Sequence, residues 1–231
     1  MTMPFVRIAS IIALISCAVL PASAQRAETR MVQDAAEVFR AVMSVPEHEV
    51  PAALMRQVQG IAILPGVKKV GFIIGGQRGK GVLVVRGGDG TWSRPLFLTL
   101  TGGSVGFQIG IQSADIVLFF RTRDSVDRVL SGRFTLGVDA SVAAGSLGRG
   151  AAAVTDQDLK AEIYSYARTR GIFAGLALQG AALDVNPDAN ALYYGKDIAN
   201  PQDVLGGSGL PDPQSAVELR KTIAEYAVKV K

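Results

Sequence analysis

The sequence predicts a single α+β domain in which several helices flank a curved, mainly antiparallel β-sheet or half-barrel. Short segments of alternating apolar and polar residues, separated by glycine-rich turns, are typical of strands. Amphipathic segments near both ends of the chain predict helices. The 231 residues are 48% hydrophobic and 19% charged, which suits a globular domain with an ample core. We see no long linker and no exact repeat, so we expect one domain over residues 25–231.

Residues 1–24 have the pattern of a signal peptide that is removed from the mature protein. Arg7 supplies a positive start, and Ile8 to Leu20 is an apolar run too short for a standard membrane span. Pro21-Ala22-Ser23-Ala24 then provides a small-residue cleavage pattern before Gln25. We therefore expect an exported bacterial protein, located in the periplasm or secreted.

Cys17 offers a second interpretation of this leader. Leu14-Ile15-Ser16-Cys17 resembles a bacterial lipobox, in which Cys17 is lipidated and becomes the first residue of a membrane-anchored lipoprotein. Cleavage after Ala24 instead removes the chain's one cysteine, which leaves neither disulfides nor thiol chemistry.

Two helices are expected at the start of the mature chain. Between Gln25 and Val45, apolar residues recur at helical spacing, and Pro46 ends the segment. These apolar residues are Met31, Ala35, Val38, Phe39 and Val42. A second, shorter helix is predicted over Pro51 to Gln59.

Six short strands follow, separated by turns at Pro65-Gly66, Gly75 to Gly81 and Gly87 to Gly90. They are Gly60–Leu64, Val70–Ile74, Val82–Val85, Leu96–Thr101, Phe107–Ile111 and Ile116–Phe120. The last of these is apolar at successive positions, which predicts a central strand covered on both faces.

The second half mixes helices and strands. Thr122 or Asp124 caps a helix that ends at Leu130, with Gly132 after it. Asn186-Pro187 has the cap and first-turn pattern of a helix that ends at Gly195. The other predicted segments are strands at Phe134–Val138, Ile163–Arg168 and Ile172–Leu178, a closely packing small-residue segment at Ala140–Ala153, and a final helix at Pro213–Val230.

The sequence does not favour an enzyme, a metal site or a bound cofactor. His48 is the only histidine, which excludes a His-rich metal centre. Gly75 to Gly81 lacks both the first glycine and the Ser/Thr of a phosphate loop, and a strand is expected after it. Asp156 and Asp158 have calcium-like spacing but no further loop ligands. A hydrolase that uses Asp139 or Ser104 is the weaker alternative.

Basic residues concentrate in the strand-rich region. Between Gln59 and Ile111 the chain has six basic residues and one acid, Asp89, whereas the overall formal net charge is only +4 and does not by itself imply nucleic acid. We expect an anion- or lipid-headgroup site formed by Lys68, Lys69, Arg78, Lys80 and Arg94 with Arg26, Arg30 and Arg40 of the first helix. Solvated loop tips and charge-protected strand edges are the alternative.

Several ordered blocks resemble one known family. Trp92-Ser93-Arg94-Pro95 and Thr101 to Gly110 resemble the core signature of SYLF-domain proteins. Further matching blocks are Gly132–Ala140, Gly148-Arg149, Ile163–Arg168, Gly171–Leu176 and Tyr194-Gly195. The resemblance implies a non-enzymatic lipid-binding domain over residues 25–231. Eukaryotic members of the family bind phosphoinositides through a basic surface and an amphipathic N-terminal helix.

Export changes the partners that the resemblance implies. Some eukaryotic members bind and bundle actin, but we expect neither actin nor phosphatidylinositol lipids as ordinary partners of an exported bacterial protein. Anionic lipid, or the lipid A phosphates of an outer membrane, is the expected counterpart. Glu28, Asp34 and Glu37 dilute the positive charge of the helix. A structural or protein-interaction module of the cell envelope, with Ala140 to Ala153 meeting a partner, is the alternative function.

The leader generates a direct prediction. We expect the intact mass of the protein purified from its native host to match a chain that begins at Gln25, because the A-x-A site directs cleavage after Ala24. Mass spectrometry checks this. A mass that fits an acylated chain beginning at Cys17 would contradict it and establish the lipoprotein instead.

Overall fold

A computed structural model describes residues 25–44, 50–145, 159–169, 172–174, 178–198, 200–206 and 209–229. At residues 70–75, 104–112, 169, 172–174 and 228–229 it describes the backbone alone. The predicted leader with Cys17, His48, the Asp156/Asp158 pair and residues 146–153 lie outside the described residues.

The described residues form a single α+β arrangement, as predicted. The helices are α1 (25–43), α2 (Ala52–Gln57), α3 (Arg123–Leu130), α4 (Pro187–Tyr194), α5 (Pro201–Gly206) and α6 (Gln214–Lys229). The strands are β1 (Gly60–Val85), β2 (Leu96–Phe120), β3 (Phe134–Thr135), β4 (Val142–Ala144), β5 (Ile163–Thr169), β6 (Ile172–Ala174) and β7 (Ala182–Val185).

The six short strands predicted before Phe120 are in fact two long ones, so that prediction is wrong. β1 and β2 pair antiparallel from Gly60 opposite Phe120 to Leu83 opposite Leu96, with irregularities between Leu64 and Val67 and between Gly71 and Ile73. The expected turn at Pro65-Gly66 is a bulge: Gly66 has a φ of 58° and donates its N–H to Asp115 Oδ1.

β2 is the centre of a mainly antiparallel sheet. Along β2, one side pairs with β1 throughout, while the other side pairs with β7 at Leu98–Thr101 and with β5 at Ala114–Phe120. β3 extends the sheet beyond β7, and β6 pairs with β5. Among the described strands, β4 and β5 form the parallel pair. The curved, mainly antiparallel sheet is therefore confirmed.

Strand β1 bends so far that its two halves touch each other. A Cβ at Gly79 would lie 2.6 Å from Val67 Cγ2, and a Cβ at Gly81 would lie 2.2 Å from the carbonyl oxygen of Ile63. Backbone therefore packs on backbone at Gly81 and on the Val67 residue at Gly79, and neither position has room for a side chain. We call this contact, between Gly79-Gly81 and Ile63–Val67, the glycine seam.

Other predicted segments are confirmed where local signals are strong. The hydroxyl of Thr122 caps α3, and Asn186 caps α4 with Pro187 in its first turn. Gly195 ends α4 with a φ of 67°. The predicted strand through Val138 is wrong beyond Thr135, because Gly137 has a φ of 78° and turns the chain. β7 and α5 were missed, since both are short and lack a distinctive pattern.

The core lies between the curled sheet and the helices. The segment Ile116–Phe120 is fully buried, as its apolar run predicts. The apolar face of α1 is also buried: the ring of Phe39 contacts Phe119 of β2 and Tyr226 of α6. Hence α1 is an integral layer of the fold.

The glycine seam predicts a sharp position dependence of Gly→Ala substitutions. Gly81→Ala should destabilise the protein by about 3 kcal/mol or more, because the added methyl group overpacks against backbone that cannot rotate away. Chemical denaturation of the purified protein measures this.

Gly103→Ala is the matched control in β2. A Cβ there meets nothing within 4 Å, so we expect no loss and even a gain of up to about 1 kcal/mol. Equal stability changes for the two variants would show that the seam does not constrain the fold.

Candidate functional site

Lys68, Arg78 and Lys80 lie close together beside the glycine seam, and we call these three residues the basic surface. Val67 touches Gly79, and each of the three basic residues is next to one of these two in the chain. Since consecutive Cα atoms are 3.8 Å apart, the Cα atoms of Lys68 and Arg78 lie within about 12 Å of each other. All three residues are exposed.

Two separate observations place Lys68 and Lys80 of the basic surface near helix α1. The register places Lys68 opposite Ser113, which shares a face of β2 with Phe119, and Phe119 contacts Phe39 of α1. Lys80 in turn forms an ion pair with Glu28 of α1 at 3.3 Å. Arg78 shares the face of Lys80, because it is two residues away along the strand.

Lys69 does not belong to this surface. Successive side chains of a strand point to opposite faces, so Lys69 points away from the face that carries Lys68. Lys69 is only partly exposed, and burial lowers the pKa of its ammonium group. The sequence predicted Lys68 and Lys69 in one site, whereas the alternation of side chains along the strand places them on opposite faces of the sheet.

The ion pair of Lys80 with Glu28 joins β1 to α1. The Glu28 side chain is only 7% exposed, whereas that of Lys80 is 52% exposed. A nearly buried carboxylate requires a partner, because its desolvation is otherwise unfavourable. Lys80 is therefore engaged within the fold, and Lys68 and Arg78 are the more accessible cations of the basic surface.

The three arginines of α1 lie on its exposed stripe. Arg26, Arg30 and Arg40 are all exposed, opposite the buried apolar face. Arg40 donates to the hydroxyl of Thr222 in α6. Arg30 and Arg40 line a shallow depression together with the acidic residues Asp34, Glu37 and Glu218. This end of the stripe has mixed charge.

Arg94 lies in a different place from the other seven predicted residues. It is half-buried, its Nε lies 3.9 Å from Asp212 Oδ1, and it lines a cavity beside the 86–95 loop. None of the other seven lines that cavity.

Of the two candidate catalytic residues, one has a structural role and the other has no described side chain. Asp139 Oδ2 accepts the backbone N–H of Thr135 at 2.6 Å, which stabilises the turn after β3. The side chain of Ser104 is not among those described.

Within the described ranges no group of three or more His, Cys, Asp or Glu residues is arranged to hold a metal ion. Among the described helices, none combines the length and apolarity that a bilayer crossing needs.

The fold and this site define a class of protein: an α+β domain with exposed cations close to its first helix. Residues 101–226 match the family model described as "Ysc84: Las17-binding protein actin regulator". The chain therefore belongs to the Ysc84 family, whose domain is the SYLF domain, and the resemblance seen in the sequence is confirmed.

Curated relatives support the same assignment. Over 167 residues, or 71% of this chain, the sequence is 35% identical to LAS seventeen-binding protein 3 of Saccharomyces cerevisiae. Over 185 residues, or 80% of this chain, it is 33% identical to SH3 domain-containing YSC84-like protein 1 of Homo sapiens. The matched regions cover 36% and 53% of those two proteins, so the chain spans about half of their length or less.

The Lys80–Glu28 geometry predicts an asymmetric double-mutant cycle. Lys80→Met should cost about 1–2 kcal/mol, because it leaves the nearly buried Glu28 carboxylate without its cation. Adding Glu28→Gln should recover most of this loss, since no buried charge remains. Denaturation of the two single variants and the double variant measures the coupling.

Lys68→Met is the control, because Lys68 is exposed and, among the residues whose side chains are described, makes one long bond of 3.4 Å, to the Ser113 hydroxyl. Its cost should stay below about 0.5 kcal/mol. Equal losses for Lys68→Met and Lys80→Met would contradict a structural role for the ion pair.

Proposed function

We propose that this protein is a non-enzymatic, exported component of the cell envelope that binds anionic lipid headgroups through the basic surface and the exposed arginines of α1. The observation that carries the proposal is the position of Lys68 and Arg78: both are exposed and flank the glycine seam, Lys68 on the face of the sheet that α1 covers and Arg78 two residues from Lys80, which pairs with Glu28 of α1. Each cation near an anionic membrane surface contributes about 1 kcal/mol of attraction.

The buried face of α1 determines how such binding would work. An interfacial helix inserts its apolar face into the bilayer. In this protein Val32, Phe39 and Val42 of that face are fully or almost fully buried in the core. We therefore propose adsorption by charge, with α1 docked, rather than insertion of the helix. Such binding weakens as salt screens the charges.

A second candidate function is a protein-interaction module. Matched relatives are named as Las17-binding and as SH3 domain-containing proteins, and those names point to protein partners. In this chain the candidate contact segment is the small-residue stretch that begins at Ala140. Its described residues include β4, which pairs with β5 alone among the described strands and lies at the edge of their sheet. Capture of a specific envelope protein without any affinity for lipid would favour this alternative.

Vesicle sedimentation tests the lipid proposal. The double variant Lys68→Gln/Arg78→Gln should bind vesicles of phosphatidylcholine with phosphatidylglycerol about thirtyfold more weakly, because two attractive charges are lost. Raising the salt from 0.05 to 0.5 M should release the unmodified protein.

Arg133→Gln/Lys160→Gln is the matched control, since both residues are exposed and lie outside the basic surface. This variant loses the same net charge and should retain most of its affinity. Equal weakening by the two double variants would assign binding to net charge alone, and undiminished binding by the first would remove the proposal.

A further inference from the structure

Four arginines line one cavity that the basic surface does not include. The cavity has a volume of about 570 Å³ and lies between the 86–95 loop, the start of α3, α5 and α6. Arg86, Arg94, Arg123 and Arg220 line it, and no carboxylate is among its described lining residues. We call it the arginine cavity.

The nearby acids balance only part of this charge. Asp212 forms ion pairs with Arg94 and Arg220, and Asp127 pairs with Arg123 at 3.0 Å. Within the described part of the chain no carboxylate pairs with Arg86, whose guanidinium donates one hydrogen bond, to the carbonyl oxygen of Arg56.

Asp89 offsets one further positive charge, because its carboxylate stays ionised and its Oδ1 would lie 2.7 Å from a Cβ at Gly87, a residue of the cavity wall. Its carboxylate accepts both the N–H and the hydroxyl of Thr91, and these bonds lower the pKa of Asp89. It does not line the cavity. Four arginines against Asp212, Asp127 and Asp89 leave the arginine cavity an excess of about one positive charge. Among the described residues the guanidinium of Arg86 donates one hydrogen bond, which leaves several of its N–H donors for a ligand.

The remaining walls indicate the size and chemistry of a ligand. Val85, Trp92 and Leu205 supply an apolar wall beside the arginines. A volume of this size is in the range of small-molecule sites and exceeds what a bare inorganic anion fills. The planar fork of a guanidinium matches phosphate oxygens in a bidentate way, and a phosphate monoester carries about −1.5 to −2 charges at neutral pH.

We propose that the arginine cavity binds an organic phosphate monoester, with Arg86 and its neighbours on the phosphoryl group and the Trp92 side on the carbon skeleton. The phosphate belongs either to a soluble ester or to the headgroup of a lipid. The site is distinct from the basic surface, so it does not depend on the proposed function.

Trp92 provides the measurement, because it lines the cavity and is the chain's only tryptophan. The purified protein is titrated with glycerol 3-phosphate and, separately, with dihexanoyl phosphatidic acid below its micelle concentration, while tryptophan fluorescence is recorded. We expect a saturable change with at least one probe and none with glycerol. Saturation by glycerol 3-phosphate identifies a soluble ester as sufficient, and saturation by the lipid alone identifies a headgroup.

Arg86→Gln should weaken this binding about tenfold or more, whereas Arg133→Gln, which removes the same charge from an exposed site outside the cavity, should change it less than twofold. Arg123→Gln is the second cavity variant, used if circular dichroism shows that Arg86→Gln is unfolded. The absence of a saturable change with both probes, or equal effects of the cavity and control variants, would overturn the proposal.

Lys68→Gln/Arg78→Gln should leave the titration unchanged. Loss of vesicle binding and loss of ligand binding in the arginine cavity are therefore separate results.

Discussion

The backbone contact within β1 is the constraint on which the rest of the fold depends. Because Gly81 has no side chain, its backbone can approach that of Ile63 and Leu64. β2 is hydrogen-bonded to β1 along nearly its whole length, so β2 has to follow this bend. The two ends of β2 thereby face different neighbours, β7 at one and β5 at the other. One bent hairpin thus organises all the described strands.

Side chains of α4 form hydrogen bonds with the start of β2 and with the residue just before it. Asn190 is fully buried, and its Oδ1 accepts the N–H of Phe97 at 3.0 Å, which is a bond that a neighbouring strand would otherwise make. Tyr194 donates its hydroxyl to the carbonyl oxygen of Pro95, and burial raises the pKa of that phenol, which keeps it a neutral donor. These bonds fix the segment that follows Trp92 and Arg94. The same interactions that complete the fold therefore also position a wall of the arginine cavity.

Local signals could be predicted from the sequence, whereas contacts between distant residues could not. The caps at Thr122 and Asn186 act within one helical turn, so their pattern is visible in the chain. Pro65-Gly66 is usually a turn signal, and it becomes a bulge because Asp115, from another strand, accepts the N–H of Gly66. For the site, the sequence predicted a basic region, but it assigned residues to one site because they are close together in the chain. It could not foresee that Arg94 would meet Arg220, because α6 brings that residue in from more than a hundred positions away.

The apolar face of α1 cannot serve the core and a bilayer at the same time. Undocking exposes Val32, Phe39 and Val42, and each large apolar side chain contributes about 1.5–3 kcal/mol when it is buried. Their sum is comparable to the stability of a whole domain, which is about 5–15 kcal/mol. Insertion into lipid would regain no more than the core already provides, since both surroundings are apolar. The exposed arginines of α1, with Lys68 and Arg78, need no rearrangement to meet an anionic surface. Charge-driven adsorption of the intact fold is therefore the less costly route to a membrane.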